Sequence, residues 1–197
     1  LRGVLSKSSQ VGTTKIALNL DGDEMRDVFS RVGFGEYLGS GFPGESMGML
    51  PSYRDWHPVT QATFAFGYGL SASPLQLARA YGVLANNGLK KDIILLLDEG
   101  ETNVSRVFSS DLSKTVNNML ESVVSESGTG KNAMIPHYRV AGKTATLHKV
   151  KAGGGYDENK YVSAFAGFSP ASNPRVVTVV IIDEPSEGKY FGGLVAA

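Results

Sequence analysis

The stretch RVAGKTATLHK, residues 139–149, decides how this chain is read. Two runs of similar character follow it, YVSAFAGFS at 161–169 and RVVTVVIID at 175–183. All three are rich in β-branched and aromatic residues, the composition of half-buried strands. Gly153–Gly155 separates the first two, and SPASNP joins the second to the third. Connections this short join antiparallel neighbours, so a meander of strands is predicted over 138–184. Strand alternation puts Lys143 and Ala145 on one face and Thr144 and Thr146 on the other. Two readings of KTAT stand open at this point. Lys and Thr are common in exposed strands, and the same residues suit an edge that holds an anionic substrate beside a reacting serine.

Upstream the pattern is helical. Residues 1–20 carry apolar and small residues at helical spacing, with a break near Ser8–Gly12. DEMRDVFSRVGFG places Met25, Val28, Phe29 and Val32 on one face, with Gly33 ending the helix. Residues 39–60 are rich in Gly, Pro and Ser and read as a long loop. SPLQLARAYGVLANNG has Ser73 as N-cap, Pro74 at the first helical position and Gly88 at its end. SSDLSKTVNNMLESVV is a further helix, capped by Ser109 or Ser110, and SESGTGKN after it is a loop. Residues 1–135 are therefore mostly helix and loop, and a last helix begins at 191–197. Helices gathered before a run of strands predict an α+β fold, an antiparallel sheet flanked by helices.

Composition narrows the function classes. With 42% apolar residues in 197, the chain has material for a sizeable core. Nineteen basic side chains balance nineteen acidic ones, so no basic field recommends nucleic acid as a partner. The chain has no cysteine, which removes disulfides and cysteine-based metal sites and is compatible with an oxidising compartment. Apolar runs such as VVTVVII are far shorter than the roughly 20 residues of a spanning helix. The opening and closing residues read as mid-domain, as in a fragment cut at both ends.

Several chemistries fail on spacing. Around SGTGKN, Ser125 and Asn132 stand where a phosphate-binding loop needs Gly and Ser or Thr. His57, His137 and His148 lack neighbours at metal-ligand spacing, so neither metal nor cofactor is expected. No G-x-S-x-G elbow supports a Ser-His-Asp arrangement. Serine–lysine chemistry fits better. It needs a nucleophilic serine with a lysine nearby, a second serine that passes protons, and a strand edge with a cation and hydroxyls for a carboxylate. KTAT supplies the edge, and SSQ supplies a second serine, Ser8, with Gln10 two residues on. Each triplet alone is unspecific, and Lys143 and Ser8 have plain structural readings as a strand residue and a helix cap.

Their order and surroundings resemble a known family. GYGLSASPLQLARAYGVLANNG and SGTGKNAMIPHYRVAGKTAT are similar to class B penicillin-binding proteins, the peptidoglycan D,D-transpeptidases, where the second leads into a Lys-Ser/Thr-Gly-Thr strand. KSSQVGTTKIAL resembles their Ser-x-Asn segment. FPGESMG, ATFAFGYG, NKYVSAFAGFSPAS and DEPSEGKYFGGLV resemble the division-specific branch of Gram-negative bacteria. The likeness covers nearly the whole chain, in family order.

The resemblance implies the penicillin-binding transpeptidase fold, also that of serine β-lactamases, with a five-stranded antiparallel sheet. The chain would be the C-terminal part of one transpeptidase domain. An acyl-enzyme forms on the D-Ala-D-Ala end of a stem peptide and transfers to an amine of a second strand. Ser8 would relay protons, with Lys143 beside it. Thr144 and Thr146 would bind the carboxylate of substrate or β-lactam, with Gln10 nearby, and the Thr146 N–H would be half of the oxyanion hole. Tyr161, Tyr190 and Phe191 would line the cleft, although sheet and loop packing also accounts for them. Stem peptide, β-lactams and division-complex proteins are the implied partners, on the periplasmic side of the inner membrane.

The chain departs from the family pattern in three ways. The catalytic Ser-x-x-Lys is expected upstream of residue 1. The one literal match, Ser186 to Lys189, contains Gly and follows Lys143, so it is rejected. Gln10 stands where Asn is usual, and Ala145 where Gly is usual. Two competing readings share the layout: a serine β-lactamase or D,D-carboxypeptidase, and a degenerate interaction-only module.

Overall fold

The computed structural model describes residues 1–96, 102–151, 153–186 and 188–197. Two compact units make up the chain, Ser9–Ser113 and the pair Leu1–Ser8 with Lys114–Ala197.

The first unit is mainly helical: α2 (Gln10–Ala17), α3 (Gly22–Arg31), α4 (Pro58–Phe64) and α5 (Pro74–Ala85), with a small antiparallel pair β1 (Leu89–Lys91) and β2 (Val104–Arg106). Helix α5 starts where the sequence indicated. Ser73 accepts from the Gln76 amide, Gln76 answers on the Ser73 amide, and Pro74 takes the first turn. In α3, Met25 and Val32 are buried as expected, whereas Val28 is 39% exposed. Three bulky apolar residues already fill that face, so Val28 falls at its margin. Gly33 follows α3 with φ +100°, and a Cβ there would collide with the Arg79 guanidinium.

The predicted loop 39–60 is irregular only in part. A 3-10 turn forms at Tyr53–Asp55, and α4 begins at Pro58, whose missing N–H suits the first helical position. Glu45 organises the rest. It accepts from the amides of Leu38 and Ser40 and from the Ser40 hydroxyl at 2.7 Å. The Ser40 hydroxyl, then the backbone amides, hold its carboxyl below the usual range against the opposing effect of burial.

The second unit holds α1 (Arg2–Ser6), the sheet β3 (Ala141–Val150), β4 (Tyr156–Ser169) and β5 (Val176–Asp183), and the short α7 (Gly192–Val195). Helix α6 (Ser110–Glu121) carries the boundary between units. The sheet order is β3-β4-β5, all antiparallel. This is the predicted meander, with β4 beginning five residues earlier than its apolar run because Tyr156 already pairs with Val150. The described residues form a three-stranded sheet here, where the resemblance implied five strands. Strand β5 is β-branched up to Asp183, which explains its persistence as an edge with alternating burial. Val124, Val140, Phe165 and Ala196 form the core of this unit, with Val180 and Ile182 against them.

One residue ties the helical unit's irregular chain to α5. Gln76 is fully buried, and its Nε2 donates to the carbonyls of Glu36 and Met47, both at 2.9 Å, while its Oε1 accepts from Ser73 N–H at 2.8 Å. Gln76→Leu keeps the volume but strands those partners. Unpaired buried groups cost about 1–3 kcal/mol each, so a loss of at least roughly 2 kcal/mol is expected in urea unfolding. A change under about half a kcal/mol would show that Gln76 is a passive filler.

Candidate active site

Strand β3 presents different chemistry on its two faces, as alternation requires. On one face Lys143 Nζ donates to Ser8 Oγ at 2.7 Å and to its neighbour's carbonyl, Thr144 O, at 2.9 Å. Ala145 shares that face. On the other, Thr144 Oγ1 bonds Thr129 Oγ1 at 2.9 Å, and Thr146 Oγ1 accepts from Gly192 N–H at 3.0 Å. Thr144 is buried and its hydroxyl is paired within the protein. Among the described bonds Thr146 uses only an acceptor lone pair, so its hydroxyl proton is uncommitted there.

Ser8 sits between α1 and α2 in the left-handed region, φ +53°. That conformation is uncommon for a residue with a Cβ and persists where the surroundings fix it. Here the fixing is visible. Lys7 Nζ donates to Ser127 O at 2.6 Å, and Thr129 N–H donates to Ser6 O at 3.2 Å. The end of α1 is thereby held to the 127–129 loop, and Ser8 is turned toward Lys143.

Lys143 has no carboxylate partner among the described ion pairs. Burial pushes its ammonium down from 10.5 to about 8. Near neutrality it is a cation that releases its proton easily. Because it donates to Ser8 Oγ, the Ser8 proton points elsewhere and is available to a leaving group. Two side chains so arranged can pass a proton between them.

Beside this edge runs a ladder of rings. His148 and Tyr161 lie 4.7 Å apart, Tyr161 and Tyr190 stack at 4.1 Å and 11°, and Tyr190 meets Phe191 at 4.5 Å. Such pairs contribute about 0.5–1.5 kcal/mol beyond area burial. His148 Nδ1 lies 2.9 Å from the Asp157 carbonyl, so the proton is assigned to Nδ1. Phe191 remains 55% exposed, leaving aromatic surface for a ligand.

Of the residues singled out in sequence, Ser8 and Lys143 meet, Thr144 and Thr146 share a face, and Tyr161, Tyr190 and Phe191 form one stack. Gln10 is the exposed first residue of α2 and belongs to the other unit. Sequence reasoning passed over Thr129 and Ser163, and weighed His148 only as a metal ligand. Thr129 lay inside the SGTG loop, where nothing marks one hydroxyl above another. Ser186 and Lys189 lie in a turn with Gly188 at φ +70°, not on a helix, and Glu187 lies outside the described residues.

Known proteins share this arrangement of segments. The penicillin binding protein transpeptidase domain family matches residues 1–197. The peptidoglycan D,D-transpeptidase FtsI of Escherichia coli K12 is 42% identical over 197 residues, 100% of this chain and 33% of that protein. The transpeptidase domain of Burkholderia pseudomallei penicillin-binding protein 3, in its apo form, is 43% identical with a TM-score of 0.89, over 98% of this chain and 58% of that one. Penicillin-binding protein 3 of Mycobacterium tuberculosis, solved in complex with aztreonam, is 33% identical with a TM-score of 0.88, over 94% and 45% of the two chains. The chain spans about a third to a half of the length of the curated relatives it matches.

The depressed pKa of Lys143 has a signed consequence. Between about 8 and 10.5 the folded chain has released a proton that the unfolded chain retains, so stability rises with pH across that window. Below it both states are protonated, and the cost of burying the charge is constant. Wild type is expected to gain roughly 2–3 kcal/mol relative to Lys143→Met between pH 7.5 and 10.5 in urea titrations. Parallel stability–pH curves for the two proteins would remove the buried-cation reading.

Proposed function

The chain belongs to the penicillin binding protein transpeptidase domain family, and on that basis we propose that it is part of a peptidoglycan D,D-transpeptidase acting in septal cell-wall synthesis. The observation that carries the reading is the Lys143–Ser8 hydrogen bond at 2.7 Å on one face of β3, with Thr144 and Thr146 on the other. One strand thus carries both a relay and a carboxylate-binding edge.

In this mechanism the serine of a Ser-x-x-Lys pair outside residues 1–197 passes its proton to that pair's lysine as it attacks the carbonyl of the penultimate D-Ala, and the lysine returns the proton when the serine leaves in the second step. The developing oxyanion is received by backbone amides that include Thr146 N–H. Ser8 gives its proton to the departing D-Ala amine and is reprotonated by Lys143. An amine of a second stem peptide then attacks the serine ester, releases its own proton back along the relay, and frees the serine. Thr146, with its uncommitted hydroxyl proton, donates to the terminal carboxylate. Thr144 supports the same edge through Thr129. Tyr161, Tyr190 and Phe191 offer a wall for the flanking group. β-Lactams occupy the same place because they carry a strained amide and a carboxylate at matching positions, in keeping with the aztreonam complex of the M. tuberculosis relative. The site faces the periplasm at the inner membrane, and division proteins are its partners.

A degenerate module is favoured by one feature, the paired departures Gln10 and Ala145. A longer amide and an added methyl alter two family positions together. Labelling the intact protein with a fluorescent penicillin separates the readings. A durable adduct supports the transpeptidase, a short-lived one supports hydrolysis, and none supports the module. In the transpeptidase, Lys143→Ala is expected to slow acylation by about one to two orders of magnitude, since charge-assisted contacts contribute roughly 1.5–3 kcal/mol. An unchanged rate would end the assignment of Lys143.

A further inference from the structure

The register of β3 and β4 pairs Thr146 directly with Ser163, so their side chains stand together on one face. Both hydroxyls are engaged by the same segment of backbone. Thr146 Oγ1 accepts from Gly192 N–H at 3.0 Å, and Ser163 Oγ donates to the Tyr190 carbonyl. Ser163 is fully buried, so no ligand reaches it and its proton has this one use. Between the two anchored groups sits Phe191, which also caps α7. The segment lies tightly on the sheet. A Cβ at Gly192 would collide with the carbonyls of Ala145 and Ala164, one on each strand.

We infer that Ser163 is a specificity-determining positioning residue: with Thr146 it clasps the Tyr190–Gly192 segment and fixes the ring wall relative to the carboxylate-binding hydroxyl. Two hydroxyls from adjacent strands grip a carbonyl and an amide two residues apart, which leaves that segment one orientation. The rings follow from it. Tyr190 stacks on Tyr161 at 4.1 Å, and Phe191 is turned outward. Thr146 belongs to both tasks. Its lone pair holds the segment while its proton is offered to a carboxylate, so anionic end and flanking group are measured from one atom. The ligands favoured are those carrying a carboxylate and, at a fixed separation, a planar or aromatic group. A buried serine that only filled space would affect all ligands alike.

The inference rests on the transpeptidase reading for its ligand and on hydrogen exchange for the clasp itself. In the intact protein, acylation rates are compared for benzylpenicillin and its acetamido analogue, which differ in the phenyl group. Ser163→Ala is expected to reduce the preference for benzylpenicillin by roughly threefold to tenfold, the worth of one neutral hydrogen bond. It is also expected to speed exchange of the Gly192 amide. In a Tyr190→Ala background, which keeps the carbonyl and removes the ring, Ser163→Ala should change the preference no further. Ser163→Cys, of similar size and a weaker donor, should fall between wild type and Ser163→Ala, and it serves as the test where the alanine variant does not fold. Equal slowing of both ligands, or an unchanged preference, overturns the inference. Failure of the parent protein to acylate with either ligand removes the transpeptidase reading instead. The Gly192 amide then decides the clasp: faster exchange in the variants supports it, and unchanged protection overturns it.

Discussion

Lys143 reaches Ser8 only because β3 is held in one register against β4. The side-chain period of a strand is two, so a slip of one residue would turn Lys143 toward α7 and the two threonines toward Ser8. The register is pinned along most of the strand, from Ala141 opposite Phe168 to His148 opposite Tyr161. Phe165 and Phe168, both buried, make any other register expensive. The chemistry on both faces is thus a consequence of core packing two strands deep.

Around that strand, the polar contacts form one connected set rather than separate sites. Thr129 links Thr144 to Ser6 through its hydroxyl and its amide. Thr146 links β3 to Gly192, and Ser163 links β4 to Tyr190. The 127–129 loop, the end of α1 and the 190–192 segment have little regular structure of their own. They are ordered by hydroxyls projecting from elements that do. This division is common in binding sites, where irregular segments carry the contacts and a rigid sheet sets their positions.

Much of this was legible beforehand, for physical reasons that differ by element. Ser73, Pro74 and Gly88 marked α5 because capping depends on residues next to one another in sequence. The three strands were legible because β-branched runs have few other uses. Ser8 and Lys143 were found through the order of short motifs, not through spacing, since 135 positions separate them. Helix α4 was missed inside a stretch rich in Gly, Pro and Ser, where Pro58 read as a breaker and is a helix start. Thr129 and Ser163 were missed because a hydroxyl acquires its role from a partner far along the chain. Nothing in SGTG or YVSAF announces such a partner.

The retention of Lys143 is not explained by stability. Lowering an ammonium from 10.5 to about 8 means that folding with the charge in place costs about 3 kcal/mol. That cost is net of the hydrogen bonds to Ser8 and to the Thr144 carbonyl, and no described carboxylate offsets it. An apolar residue of the same length would cover the same sheet surface without the cost. What such a residue cannot do is hold a proton near neutrality within 2.7 Å of a serine hydroxyl. The same burial that makes Lys143 costly brings its pKa to the range where a relay can both give and take a proton. Cost and proton-transfer capacity therefore have one physical origin, the partial removal of water from the edge of β3.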